Sequence, residues 1–237
     1  MSTLAEYARD YLNLELSVRQ LAQFEELSDM LLDWNQRMNL TSITAPKDIV
    51  VKHFLDSLTL TTVVIQFDGL RLIDVGTGAG FPGLALAIAF PALEVTLLDS
   101  TAKKLRFIQS VGEELQLKNV RTMHARAEDA GRDKGHRAAY DIAVARAVAP
   151  LPVLMEYLLP LVRPEGQAIA MQGMTAYDDA NSAAKAIEAL GGELFTIEEV
   201  LLPTLDNPRY LIVIDKIKKT PRQYPRQPGT PNRNPIQ

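Results

Sequence analysis

The chain of 237 residues contains no cysteine. That excludes disulfides, thiolate zinc sites and any thiol nucleophile, and it is compatible with a reducing compartment. No metal site is expected. No apolar run approaches the roughly 20 residues that a membrane-spanning helix requires. The opening Met1-Ser2-Thr3-Leu4-Ala5-Glu6 has neither a basic n-region nor an apolar h-region, so no secretory leader is read there and a cytoplasmic protein without membrane contact is expected.

An overall excess of positive charge is also missing, since the formal net charge is −4. The distribution is uneven. After Asp215 come Lys216, Lys218, Lys219, Arg222, Arg226 and Arg233 and no acid, which leaves an acidic body and a basic tail. Such a tail reads either as a solubilising end or as an arm that tracks phosphates.

What is present is concentrated in Leu72-Ile73-Asp74-Val75-Gly76-Thr77-Gly78-Ala79-Gly80-Phe81-Pro82-Gly83, followed by Val95-Thr96-Leu97-Leu98-Asp99. An apolar strand runs into a glycine turn, a helix follows, and a second strand ends on an acid. That layout wraps backbone around an adenosine-bearing cofactor. The order is D-x-G-x-G-x-G, with Phe81 where a dinucleotide fingerprint places its third glycine. A pyrophosphate needs the bare helix N-terminus that this glycine permits. S-adenosylmethionine (SAM) has no phosphate, and its loop must instead accommodate a zwitterionic tail. The pattern points to a SAM-dependent methyltransferase, with a nucleotide-dependent oxidoreductase as the competitor. Among methyltransferases, lack of cysteine excludes those that attack a pyrimidine C5 through a thiolate.

The first third reads helical. Ser17-Val18-Arg19-Gln20 is a capping-box pattern ahead of apolar Leu21, Phe24, Leu27, Leu31 and Leu32 at helical spacing. Pro46 is expected to close that region, and a second helix to run over about 47–60. From residue 70 strands and helices alternate. Strands are expected at 71–75, 95–98, 120–123, 141–145, 167–171, 193–202 and 210–217, and helices at 81–89, 101–115, 151–162 and 177–190. This predicts an α/β, Rossmann-like methyltransferase sheet with helices on both faces, mostly parallel, closed by an antiparallel strand pair across 205–209. The expected organisation is an N-terminal helical extension over 1–66, a SAM-binding domain over 67–218 and a basic, proline-rich, disordered tail over 219–237 with little to bury.

The candidate site follows. Asp74 sits where a carboxylate holds the loop or the cofactor ammonium, and Gly76, Gly78 and Gly80 allow close backbone approach. Asp99 offers a carboxylate to two ribose hydroxyls. Ser100 and Thr101 read equally as ligand contacts and as caps of the next helix. Glu128, beside Ala127 after the third strand, is placed to accept the adenine exocyclic amine or to stand as a solvated acid. The fourth strand ends at Arg146, without the Asn/Asp-Pro-Pro-aromatic segment with which amine methyltransferases orient a nitrogen. An amine or hydroxyl must lose a proton to a base. A ring nitrogen with a free lone pair, such as guanine N7, needs only alignment. Arginine reads guanine O6 and N7, although an ion pair at the strand end uses the same residue type. His53 and Asp56, three apart on one face of the second helix, read first as a hydrogen-bonded pair that locks the N-terminal helices onto the sheet and second as catalytic groups; Trp34 and Asn39 read first as structural and second as substrate-facing.

Taken together, Trp34-Asn35-Gln36-Arg37-Met38-Asn39-Leu40-Thr41, His53-Phe54-Leu55-Asp56-Ser57-Leu58, the 74–83 loop, Asp99 and the 101–107 segment resemble the bacterial ribosomal small-subunit guanine-N7 methyltransferase family, also known as glucose-inhibited division protein B. The resemblance covers about 31–217, and the 219–226 segment is similar to that of some members. It implies SAM as methyl donor, a guanine N7 of 16S rRNA (free or in the small ribosomal subunit) as acceptor, and a monomeric cytoplasmic enzyme. It also implies cofactor contacts at Gly76, Phe81, Asp99–Thr101, Ala127, Glu128 and Arg146. One departure is Gln172-Gly173, where several members have Lys-Gly, which removes a cation from that strand end. A non-catalytic RNA-binding protein is a further alternative, but it leaves the intact glycine loop and Asp99 without a purpose.

Overall fold

The computed structural model describes residues 1–236. Helix α1 (Ser2–Leu12) buries Leu4, Ala8 and Leu12 along one stripe. Helix α2 (Val18–Asn35) opens with the expected capping box: the Ser17 side chain accepts from Gln20 N, and the Gln20 side chain accepts from Ser17 N. Pro46 opens the next helical stretch, where it was expected to close the preceding one, because a first-turn position has no use for the N–H that proline lacks. That stretch comprises α3 (Pro46–Ile49), a π-helical turn (Val50–Leu55), α4 (Asp56–Leu58) and a 3₁₀ turn (Thr59–Thr62).

Strand β1 (Arg71–Val75) then enters the sheet and feeds α5 (Gly83–Ala89). Regular helix starts two residues later than expected, because Gly80 N and Phe81 N both donate to Thr77 O and keep these residues in the loop. The remaining elements are β2 (Glu94–Asp99), α6 (Ala102–Glu114), β3 (Val120–His124), α7 (Ala127–Ala130), β4 (Tyr140–Arg146), α8 (Leu151–Leu158), β5 (Val162–Gln172), α9 (Ala176–Ala189), β6 (Gly192–Val200), β7 (Arg209–Lys216) and α10 (Thr230–Arg233). Helix α8 stops well short of 162. Pro164 cannot sustain a helix there, and the chain is already in β5, which pairs Val162 with Tyr140.

The seven strands lie in the order β3-β2-β1-β4-β5-β7-β6. Strands β1 to β5 pair in parallel, and β7 pairs antiparallel with both β5 and β6. A parallel sheet must be covered on both faces, and the alternation of side chains sorts the core accordingly. Leu72, Leu97, Val144, Ile169 and Val213 face one apolar cluster with α1, α2, α5 and α6. Ile73, Leu98, Ala143, Ala170 and Ile214 face the other, with α8 and α9. The N-terminal helices are therefore part of the first core, so the boundary at residue 66 marks a change of element type, not a break in packing.

The tail corrects the expectation of a disordered segment with little to bury. Pro225 and Pro231 are buried, and Tyr224 and Ile236 pack on the second core cluster. Proline-rich backbone leaves carbonyls without internal partners, and guanidinium groups of the body supply the donors. Arg137 donates to the Thr220, Pro221 and Tyr224 carbonyls at 2.9, 3.2 and 2.7 Å, and Arg132 Nε donates to Pro225 O at 2.8 Å. Arg226 forms a multidentate pair with Glu156, which is fully buried in α8.

Candidate cofactor and acceptor site

The carboxyl ends of β1, β2 and β4, with the turn after β3, place the expected residues along one edge of the sheet. Gly76 and Thr77 both donate to Leu98 O, at 2.8 and 3.0 Å, and this folds the loop against β2. Gly76 has φ +72°, and a Cβ there would lie 2.7 Å from Val148 Cγ2, so a side chain is excluded by both conformation and space. Asp99 braces the loop: its Oδ2 accepts from Gly78 N at 3.0 Å and its Oδ1 from Thr101 N at 2.8 Å. Each carboxylate oxygen keeps further acceptor capacity, as hydroxyl recognition requires. Thr101 stands at the N-cap of α6 but makes no side-chain capping bond, and Ser100 is exposed.

Asp74 is buried behind the loop. Its Oδ2 accepts from Thr77 Oγ1 at 2.6 Å and from Gly83 N at 2.9 Å. Its Oδ1 is the one buried side-chain polar atom without a hydrogen-bond partner among the described residues. Burial pushes its pKa up to about 6, against the opposing pull of the Thr77 and Gly83 bonds and Arg146. A carboxylate so desolvated and short of a donor fits the ammonium group of SAM.

Further along the edge, Ala127 opens α7 and Glu128 follows, almost fully buried. Glu128 is not the solvated acid of the alternative reading: its Oε1 accepts from Gly229 N at 2.8 Å.

Arg146, at the end of β4, faces the π-helical turn. It donates to Asp56 Oδ2 at 2.6 Å and to Lys52 O at 3.0 Å, and approaches His53 Nδ1 at 3.2 Å. With Nδ1 facing a guanidinium, the His53 proton sits on Nε2, which donates to Thr41 Oγ1 at 2.9 Å. Burial, then the Arg146 charge, lower the His53 pKa to about 4, so the ring is neutral. The ring lies parallel to Phe81 at 4.7 Å. His53 and Asp56 thus tie the N-terminal helices to the sheet, but the expected hydrogen bond between them is not formed: each meets Arg146 instead, because the guanidinium reaches both from the end of β4. Arg209 was missed in the sequence. It reaches Asp56 Oδ1 at 3.0 Å from β7, a partner that only the sheet order reveals. Of the other helical residues, Asn35 Oδ1 accepts from Leu40 N and Thr41 N, Trp34 packs on Phe107, and Asn39 is exposed.

These groups wall a cavity of about 360 Å³ at the carboxyl ends of β4 and β5 and the start of the reversed β7, lined by Lys52, His53, Asp56, Arg146, Gln172 and Arg209 among others. A larger concavity, about 690 Å³, lies at the opposite edge, where Glu94 and Asn119 mark the starts of strands, away from the glycine loop. Ligands of open α/β sheets bind at the carboxyl edge. The smaller cavity is therefore the one placed for chemistry.

The reversed β7 in the sheet and the glycine loop answered by an acid on β2 define the class: a SAM-dependent methyltransferase. Solved structures agree on the fold. They include a SAM-dependent O-methyltransferase from Thermotoga maritima (TM-score 0.53, 17% identity, 81% of this chain and 72% of that one). A 16S rRNA (adenine(1408)-N(1))-methyltransferase from Catenulisporales acidiphilia is similar (TM-score 0.53, 15% identity, 65% and 88%). The family model described as rRNA small subunit methyltransferase G, GidB, matches residues 20–205. The ribosomal RNA small subunit methyltransferase G of Bacillus subtilis is 48% identical over 225 residues, 94% of each chain. That of Acetivibrio thermocellus is 48% identical over 223 residues, 94% of this chain and 91% of the relative. The chain belongs to the rRNA small subunit methyltransferase G family.

Proposed function

We propose that this chain transfers the methyl group of SAM to N7 of a guanine in 16S rRNA. The observation that carries the reading is the lack of an available base on the wall of the acceptor cavity. Asp56 is ion-paired to two guanidinium groups, both His53 nitrogens are engaged, Lys52 pairs with Asp48 at 3.2 Å and the Tyr210 hydroxyl donates to Glu199. Such a wall can align an acceptor but not deprotonate one, and N7 already carries its lone pair.

Bound SAM supplies a methyl group on a sulfonium centre. The protein's share is placement. In this reading Asp74, Gly76, Gly78 and Gly80 receive the methionine end, Asp99, Ser100 and Thr101 the ribose, and Ala127 and Glu128 the adenine. Phe81 and Arg146 stand between cofactor and acceptor, with the Arg146 guanidinium carbon 5.8 Å from the Phe81 ring centre. Within residues 1–66 the 43–56 stretch walls the acceptor cavity, 67–218 hold the cofactor, and 219–236 strap the α7–α8 side. The proposed working unit is a monomer in the cytoplasm, with the small-subunit rRNA as its partner.

The test is labelling of 16S rRNA from cells lacking this chain, with radioactive SAM and purified protein, followed by nucleoside mass mapping. One 7-methylguanosine is expected. Label on an amine or hydroxyl, or no label together with NAD binding in calorimetry, would overturn the reading.

A further inference from the structure

The segment after β7 returns across the α7–α8 side of the molecule and ends at a cofactor-edge residue. Gly131 packs against Pro225, whose Cγ would lie 2.9 Å from a Cβ at that glycine. One residue on, Arg226 is fixed to the fully buried Glu156 through its own backbone N–H at 2.7 Å and three guanidinium contacts of 2.6–3.1 Å. Three residues further, Gly229, at φ +80°, turns its N–H onto Glu128 Oε1. A carboxylate on a four-residue helix has little local structure to hold its rotamer, and α7 makes no side-chain capping bond.

We infer that the C-terminal strap is a positioning device for the cofactor site. Gly229 N–H orients the Glu128 carboxylate, and the Arg226–Glu156 pair keeps Gly229 in place. With Oε1 committed to the strap, Oε2 is presented to the exocyclic amine of adenine. The inference rests on the reading of Glu128 as the adenine acceptor. Gly229 and Arg226 touch no cofactor; they act through Glu128. Coupling of this kind is reciprocal: if the docked strap favours SAM binding, bound SAM favours the docked strap.

The experiment uses the full-length chain and calorimetric titration with SAM. Glu156→Leu combined with Arg226→Ser releases the strap without leaving a charge unpaired in the core. SAM affinity is expected to fall roughly 3–10-fold, the range that ordering one side chain represents. The same release in a Glu128→Gln background is expected to change nothing further. Unchanged affinity, or equal losses in both backgrounds, would overturn the inference and leave the strap a structural belt. If the double variant fails to fold, limited trypsin digestion of the unmodified chain decides. Saturating SAM is expected to slow cleavage after Lys219 and Arg222 relative to cleavage after Arg9 in α1, and an unchanged ratio overturns the proposal. An unmodified chain that binds no SAM would instead sink the cofactor reading on which the inference stands, an outcome separate from binding that ignores the strap.

Discussion

At the residue scale, Asp74 and His53 respond to pH in opposite senses. The Asp74 pKa is raised from 3.8 to about 6 by burial, so its contribution to stability is present in acid and is lost as pH rises through 6. The His53 pKa is lowered from 6.5 to about 4, so its contribution is present above 6.5 and is lost as pH falls through 4. Between about pH 4 and 6.5 the two oppose each other. Asp74→Asn is expected to leave only the His53 response, making the fall in melting temperature on acidification steeper than in the unmodified chain; thermal melts at several pH values check this. Asp99→Ala removes a carboxylate that braces the loop and is read as the ribose acceptor. A loss of about 1.5–3 kcal/mol in SAM binding is expected, measured by calorimetry. Arg146→Lys keeps the charge but not the planar fork that serves Asp56, Lys52 O and His53 together. Methyl transfer is expected to fall at least tenfold with a melting temperature within a few degrees of the parent, because Arg209 still pairs Asp56; a parallel collapse of melting would make Arg146 a purely structural residue.

At the element scale, the glycine loop and the π-helical turn meet at Phe81 and His53. The loop has no spare room: Gly76→Val imposes a left-handed backbone on a β-branched residue, at about 1–2 kcal/mol from conformation alone, before the contact with Val148. The expected outcome is loss of measurable SAM binding with the sheet retained, read by titration beside circular dichroism. The π-helical turn and the first residue of α4 bring Lys52 O, His53 and Asp56 to one guanidinium. Wide turns of this type inside helices recur at functional sites.

At the scale of the whole molecule, charge is the open problem for an rRNA partner, because the body is acidic and the basic residues gather after Asp215. The structure withdraws two of them: Lys216 is buried, donating to Leu190 O, and Arg226 is paired with Glu156. Lys218, Lys219, Arg222 and Arg233 stay exposed. Changing these four to Gln is expected to make the slope of log affinity for rRNA against log salt shallower by up to about 0.7–0.9 per phosphate contact, with SAM affinity unchanged. Filter binding at several salt concentrations checks both; an identical slope would place the RNA contact on the folded body.

The sequence by itself determined the alternation of strands and helices from residue 70, the capping box at Ser17 and the loop from Asp74 to Gly83. These are local: period, capping chemistry and glycine spacing act between residues a few positions apart, so they are written in the order of the chain. Tertiary structure alone decided the partners. Arg209 and Arg146 converge on Asp56 because β4, β5 and β7 are neighbours in the sheet. Glu156 reads as one acid in an apolar helix until Arg226 is laid against it. The tail has no periodicity of its own to predict order; its order comes from guanidinium donors on the body and from the apolar cluster that Tyr224 and Ile236 cover, contacts between groups far apart in the chain.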